Sequence, residues 1–198
     1  MRKAELEPRA WQRMLSGRRL DLLDPSPVDI EIEDIAHGLA RVARWNGQTE
    51  GAYAFSVAQH SIVVEDFVGR LKPDLPIKWR LVSLLHDAPE YVVGDMISPF
   101  KSAIGINYRD LEHRLQTAIH IRFGLPPKIP ESIEKLIKRA DRASAYFEAI
   151  QLAGFTTSEA NKLWRKPKII DDYKINLQSP KQAKDAFIKR FEELLDKL

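Results

Sequence analysis

His60, the adjacent pair His86-Asp87, and Asp141 are the residues of this chain best suited to chemistry. Two imidazoles and two carboxylates make a mixed nitrogen and oxygen set of the kind that holds a divalent metal ion. Each sits in an apolar stretch with helical periodicity, where a polar side chain is costly unless it has a partner. Side chains projecting inward from several helices are how helical bundles build metal sites. On a helix, His86 and Asp87 would be about 100° apart, so both can reach an ion lying between their directions. His60 and Asp141, from neighbouring helices, would close the set. Room remains on such an ion for water and a substrate oxygen; Mn²⁺, Co²⁺, Fe²⁺, Ni²⁺ and Zn²⁺ suit these donors, and Mg²⁺ suits them less because of the imidazoles. An ion so held polarises a phosphoryl oxygen and lowers the pKa of bound water.

Further candidates flank this set. In HDAPE, Glu90 follows His86 by one helical turn if the helix runs through Pro89, and can orient a water or pass a proton. Asp95, in GDMISP, is a second carboxylate for the mouth of the site. Arg44 can grip a phosphate through its guanidinium fork, and Trp45 can pack on a base or sugar. Taken singly, each has a plainer reading. His60 could be a core histidine, Asp141 a partner of Arg139 or Arg142, and Glu90 a solvated carboxylate. Asp95 could cap a helix, Arg44 could end one, and Trp45 could belong to the core. Lys101 reads as a surface lysine, and His37, His113 and His120 as structural or exposed. The combination, not any single residue, points to a metal centre.

Positioning such a set requires helices, and the apolar spacing supplies them. The pattern predicts helices over 34–43 with Asp34 as N-cap, from a Ser56 cap to Leu71, over 107–123 and over 131–153, with amphipathic helices near 158–164 and 180–197. IKWRLVSLLHDAPEYVV reads as one helix carrying His86-Asp87, which Pro89 tightens or ends. GDMISPFKSAIGI is loop-like, and the alternation in VDIEIE (28–33) predicts a short exposed strand. No repeat, interdomain linker or parallel-sheet signal is present. The expected fold is a single all-α domain over residues 35–198, with residues 1–34 as a peripheral N-terminal extension packed on it.

At 198 residues, 44% hydrophobic and 30% charged, the composition is that of a globular domain. A formal net charge of +3 comes from 31 basic and 28 acidic residues with no long Lys/Arg run. On that ground no nucleic-acid partner is expected. No stretch has the length of a membrane span, and the N-terminal residues lack the apolar centre of a signal peptide. The absence of cysteine removes disulfides and thiolate sites. A cytoplasmic protein with no membrane partner is the expectation.

The order H…HD…D resembles the HD-domain metal-dependent phosphohydrolases, and most closely the bacterial 5′-deoxynucleotidases (YfbR-type). Four segments carry the resemblance: Arg44-Trp45, SVAQHS from Ser56, LLHDAPEYVVGDMISPFK from Leu84, and KRADRASAY from Lys138. Together they span roughly residues 35–152. The resemblance implies an all-helical HD-domain bundle with His60, His86, Asp87 and Asp141 binding one divalent ion. It implies Glu90 and Asp95 as catalytic carboxylates, and Arg44 and Trp45 at the substrate. It also implies a nucleotide as small-molecule substrate and a homodimer. The implied reaction removes the 5′-phosphate from (deoxy)nucleoside monophosphates. A nucleotide triphosphohydrolase or cyclic-nucleotide phosphodiesterase using the same ligands, and a non-catalytic nucleotide-sensing helical module, are the alternatives. The chain departs from the pattern at Gln59, where the family has Glu, at Pro89, at Gln48, and in the NGQTEGAYAF segment before His60.

Overall fold

Residues 57–68 set the architecture, because almost every side chain among them is apolar or has a buried partner. A computed structural model describes residues 10–95, 106–168, 170 and 172–198. Its helices are α1 (Ile32–Leu39), α2 (Val57–Leu71), α3 (Ile77–Leu84), α4 (Glu90–Val93), α5 (Ile106–Arg122), α6 (Glu131–Gln151), α7 (Thr157–Leu163) and α8 (Pro180–Leu195). Strands β1 (Trp11–Arg13) and β2 (Arg19–Asp21) form an antiparallel hairpin with Gln12 opposite Leu20. The chain is an all-α bundle. Among the described residues no helix is long and apolar enough to cross a membrane.

Helix α2 is buried nearly all round, which marks it as the central element. Ser56 caps it as expected, its Oγ accepting from the Gln59 amide at 3.3 Å. Around it lie α3, α6 and α8, while α1 packs on α4 and α8. Glu65, buried within α2, accepts from Arg190 Nε and Nη2 at 2.8 and 2.9 Å and also pairs with Arg80. One carboxylate thereby ties α2 to both α3 and α8. Thr156 with Glu159, and Ser179 with Gln182, form reciprocal capping boxes that start α7 and α8.

Three expectations are corrected. VDIEIE is not a strand: Pro27 opens a 3-10 turn over Pro27–Asp29, and α1 begins at Ile32. Proline's fixed φ favours the first position of a helical turn, and among the described residues no neighbouring strand is there to pair. Asp34 is not the N-cap of α1 but lies inside it, accepting from the Ser16 amide at 3.0 Å and the Ser16 hydroxyl at 2.5 Å. It thus fastens the hairpin to the bundle.

The third correction bears on chemistry. The single helix expected through His86-Asp87 is broken into α3 and α4 by a turn over residues 85–89. Pro89 has no amide hydrogen to continue the helical ladder. The local bonds shorten to three residues, with Ala88 N to Leu85 O at 3.1 Å and Glu90 N to Asp87 O at 3.0 Å. The loop expected at 94–106 falls mostly on 96–105, including Lys101, outside the described residues.

Helix α4 follows that turn at once and is held by a close backbone approach. A Cβ on Gly38 of α1 would lie 2.8 Å from Tyr91 Cβ and 3.1 Å from Tyr91 Cα. Since backbone cannot move aside cheaply, Gly38→Ala is expected to lower stability by about 1–3 kcal/mol. A urea denaturation midpoint unchanged in Gly38→Ala would refute this packing of α1 on α4.

Candidate metal centre

Three elements deliver the donors. His60 comes from the second turn of α2, Asp141 from the middle of α6, and His86-Asp87 from the turn after α3. His60 Nε2 lies 3.2 Å from Asp141 Oδ1 and 3.4 Å from Asp87 Oδ2, and His86 Nε2 lies 3.2 Å from Asp87 Oδ2. Donor atoms of His60, His86 and Asp141 all fall within 4.8 Å of one another. All four expected ligands are therefore together. The phasing is not that of a helix: the turn lets two successive side chains face one point.

The other nitrogen of each imidazole is already committed. His60 Nδ1 lies 2.7 Å from Glu148 Oε1, and His86 Nδ1 lies 2.8 Å from the Ser83 carbonyl. A carboxylate and a carbonyl can only accept, so both Nδ1 atoms donate. In the neutral rings the two Nε2 atoms are then bare lone pairs, buried and without a hydrogen-bond partner. They face two carboxylates. Four acceptors converging on one point need positive charge between them, and a metal-binding histidine characteristically hands its second N–H to a carboxylate or carbonyl.

The electrostatics state the same demand. Burial and the Arg44 guanidinium push the His60 pKa down, but Glu148, Asp141 and Asp87 overcome them and hold it well above the ordinary imidazole value. Burial raises Asp87, yet His86 and His60 bring it well below the usual carboxylate range. His60 likewise lowers Asp141 against its burial. Without a cation, the His60 imidazole itself carries the charge.

Glu148 organises the inner wall and was not singled out in the sequence as a site residue. It is fully buried on α6, two turns beyond Asp141 on the same face. Besides His60 it accepts from Ser144 Oγ at 2.6 Å, Trp45 Nε1 at 2.8 Å, and Arg44 Nε and Nη2 at 3.4 Å. Burial alone would raise its pKa; Arg44, His60 and Ser144 instead hold the carboxyl far below its usual range. The available signal was an acidic residue seven positions after Asp141 in an apolar run.

Arg44 and Trp45 reach the centre from the other side. Two backbone bonds hold their segment against the start of α2: Arg44 N to Phe55 O at 2.8 Å and Val57 N to Val42 O at 3.0 Å. Trp45 and Asn46 then adopt left-handed φ values of 59° and 51°, turning the chain back. Arg44 Nη2 is 3.9 Å from Asp141 Oδ1, and Nη1 is 3.8 Å from Asp95 Oδ2. The Trp45 ring packs on Phe155 and Trp164 with centroids 5.8 and 5.6 Å away. Both side chains are thus engaged with the protein around Glu148. Glu90 is 2% exposed at the start of α4, which excludes its reading as a solvated carboxylate.

A cavity of about 280 Å³ opens beside His86 and Asp141, walled by Val82, Gln116, His120 and Ile137. His120 is buried, its Nδ1 bonded to the Pro126 carbonyl at 3.0 Å, while His113 is exposed. Gln59, the departure before His60, has a structural reason. Its amide donates to Asn176 O at 2.9 Å and accepts from Gln178 N at 3.2 Å, which a carboxylate could not do.

Removing the Glu148 charge should be felt twice. Glu148→Gln leaves Arg44 buried beside a neutral amide, and a loss of about 3 kcal/mol in urea denaturation is expected. It also loosens the hold on His60, so Co²⁺ affinity measured by calorimetry should fall by about 10- to 100-fold. Unchanged stability together with unchanged Co²⁺ affinity would contradict this role.

No family model matches the chain. It is 57% identical over 192 residues to an uncharacterised protein of Rhodobacter capsulatus, an alignment covering 96% of this chain and 98% of that one. Identity of this degree over nearly the full length of both places the chain in the same family as that Rhodobacter capsulatus protein.

Proposed function

We propose that the chain is a divalent-metal-dependent phosphohydrolase of the HD-domain type that removes the 5′-phosphate from (deoxy)nucleoside monophosphates. The observation that carries this reading is the pair of buried Nε2 atoms, His60 and His86, which lack hydrogen-bond partners and face Asp87 and Asp141. His60, His86, Asp87 and Asp141 would hold the ion. When bound, it supplies Lewis acidity to a phosphoryl oxygen and makes water a stronger acid. The sequence likeness across four segments, from Arg44-Trp45 to KRADRASAY, supplies the reaction class.

The places of the remaining groups support roles for them in this reading. Asp141 has a side chain 39% exposed and forms the open side of the donor set, where a phosphate can approach. Arg44, 3.9 Å from Asp141, stands behind that approach and can redirect one N–H to a phosphoryl oxygen. Asp95 steadies the guanidinium from the other side at 3.8 Å. Glu90, buried just past the ligand-bearing turn, is the candidate to move a proton to the leaving oxygen. The neighbouring 280 Å³ cavity, with Val82 and Ile137 in its wall, offers apolar surface for the sugar or base.

A phosphate-release screen of nucleotides with Mn²⁺, Co²⁺, Zn²⁺ and Mg²⁺ tests the reading. Release of inorganic phosphate from monophosphates supports it, whereas tripolyphosphate from a triphosphate, or a monophosphate from a cyclic nucleotide, would assign the same donors to another bond. Asp87→Ala is expected to lose bound metal and turnover together. Glu90→Gln should keep the metal but lower kcat by about 10²- to 10⁴-fold. Full turnover in metal-free Asp87→Ala would end the proposal.

A further inference from the structure

A second concave surface lies on the outer face of α6 and is strongly basic. Lys135, Lys138, Arg139 and Arg142 occur at spacings of three, four and seven residues, so they form one row about 10 Å long on the helix. Arg165, Lys166 and Lys168 line the same cavity of about 410 Å³, together with Leu71, Ala143 and Trp164. Arg165 adopts a left-handed φ of 60° directly after the Trp164 that ends α7, a place where glycine is usual. That reversal brings the 165–168 segment back against α6.

These charges are not neutralised. Lys135 pairs with Glu131 at 2.6 Å, but the other six cations have no carboxylate partner among the described residues. Nor does any acidic residue among those described line the cavity. Seven of the 31 basic residues of the chain line this one cavity. The expectation of no nucleic-acid partner rested on the lack of a Lys/Arg run, yet folding builds the patch from two segments more than 20 residues apart.

We propose that this groove binds the phosphate backbone of a single-stranded nucleic acid. A mononucleotide has too few charges to engage the cations of both segments, whereas a strand presents a phosphate per residue. A groove of cations with an aromatic side chain is the arrangement that binds single strands without reading sequence, because every base has a face that can pack on a ring. Trp164, half-buried in the lining and packed on Trp45 and Phe155, supplies that ring. Lys138 lines both this groove and the cavity beside His86 and Asp141, so a bound strand would run past the metal centre. Binding itself does not depend on the reading of that centre.

Fluorescence anisotropy with labelled oligothymidylates of up to about 10 nucleotides tests this, in EDTA so that the metal donors contribute nothing. Affinity should rise with length, fall with salt, and exceed that for a duplex. The double variant Arg139→Glu/Lys166→Glu changes two exposed side chains, and circular dichroism confirms its fold. It should bind about tenfold or more weakly, with a salt slope reduced by about one for each cation removed. Lys197→Glu, an exposed cation elsewhere, should bind as the parent does. No binding at low salt, or binding indifferent to the double variant, would overturn the proposal. So would inorganic tripolyphosphate competing as tightly as the longest strand, which would assign the groove to a short polyphosphate.

Discussion

Glu148 Oε1 and His60 Nδ1 lie 2.7 Å apart where neither side chain is exposed, and this contact makes the site intelligible. A carboxylate buried this deeply is costly unless its charge is met. Here Arg44, Trp45, Ser144 and His60 meet it from three parts of the chain. Because Glu148 can only accept, it fixes which nitrogen of His60 carries a proton, and therefore which one faces Asp87 and Asp141. The same anion anchors the Arg44–Trp45 turn, which in turn brings the guanidinium between Asp95 and Asp141. Stability and function meet here: the interaction that locks α2, α6 and residues 44–45 together also presents the donor atom.

The break between α3 and α4 plays the complementary part. A continuous helix would point His86 and Asp87 about 100° apart. The turn ahead of Pro89 instead turns both toward His60 and places Glu90 immediately after them, inside the protein. Gly38 makes room for α4 against α1. The donor set is thus rigid on the α2 and α6 side and shaped by a turn on the other.

Much of this was legible in the sequence because periodic apolar residues encode helices directly. The longest helix was expected over 131–153 and spans Glu131–Gln151; the last was expected over 180–197 and spans Pro180–Leu195. Residue types suggested His60, His86, Asp87 and Asp141 as one donor set, and the resemblance across four segments joined them. What was hidden depended on contacts across the chain. Leu84 and Leu85 continue the apolar pattern, so nothing local marks the end of α3. VDIEIE alternates like a strand, but Pro27 and the docking of α1 decide its conformation. Glu148 looks like any acid on a helix until Arg44, a hundred residues away, is placed over it. The basic groove escaped for the same reason: 135–142 and 165–168 are short basic clusters that only the fold brings to one cavity.

Two basic walls beside an acidic and imidazole-rich centre give the molecule a polarity that net charge conceals. The account rests above all on those four donors holding a cation. Titrating metal-free protein with Co²⁺ and following its visible absorption tests this most directly. The account predicts a band that saturates at one ion per chain and reports mixed imidazole and carboxylate ligands. Absence of saturable Co²⁺ binding, or the same band in His60→Ala, would contradict it.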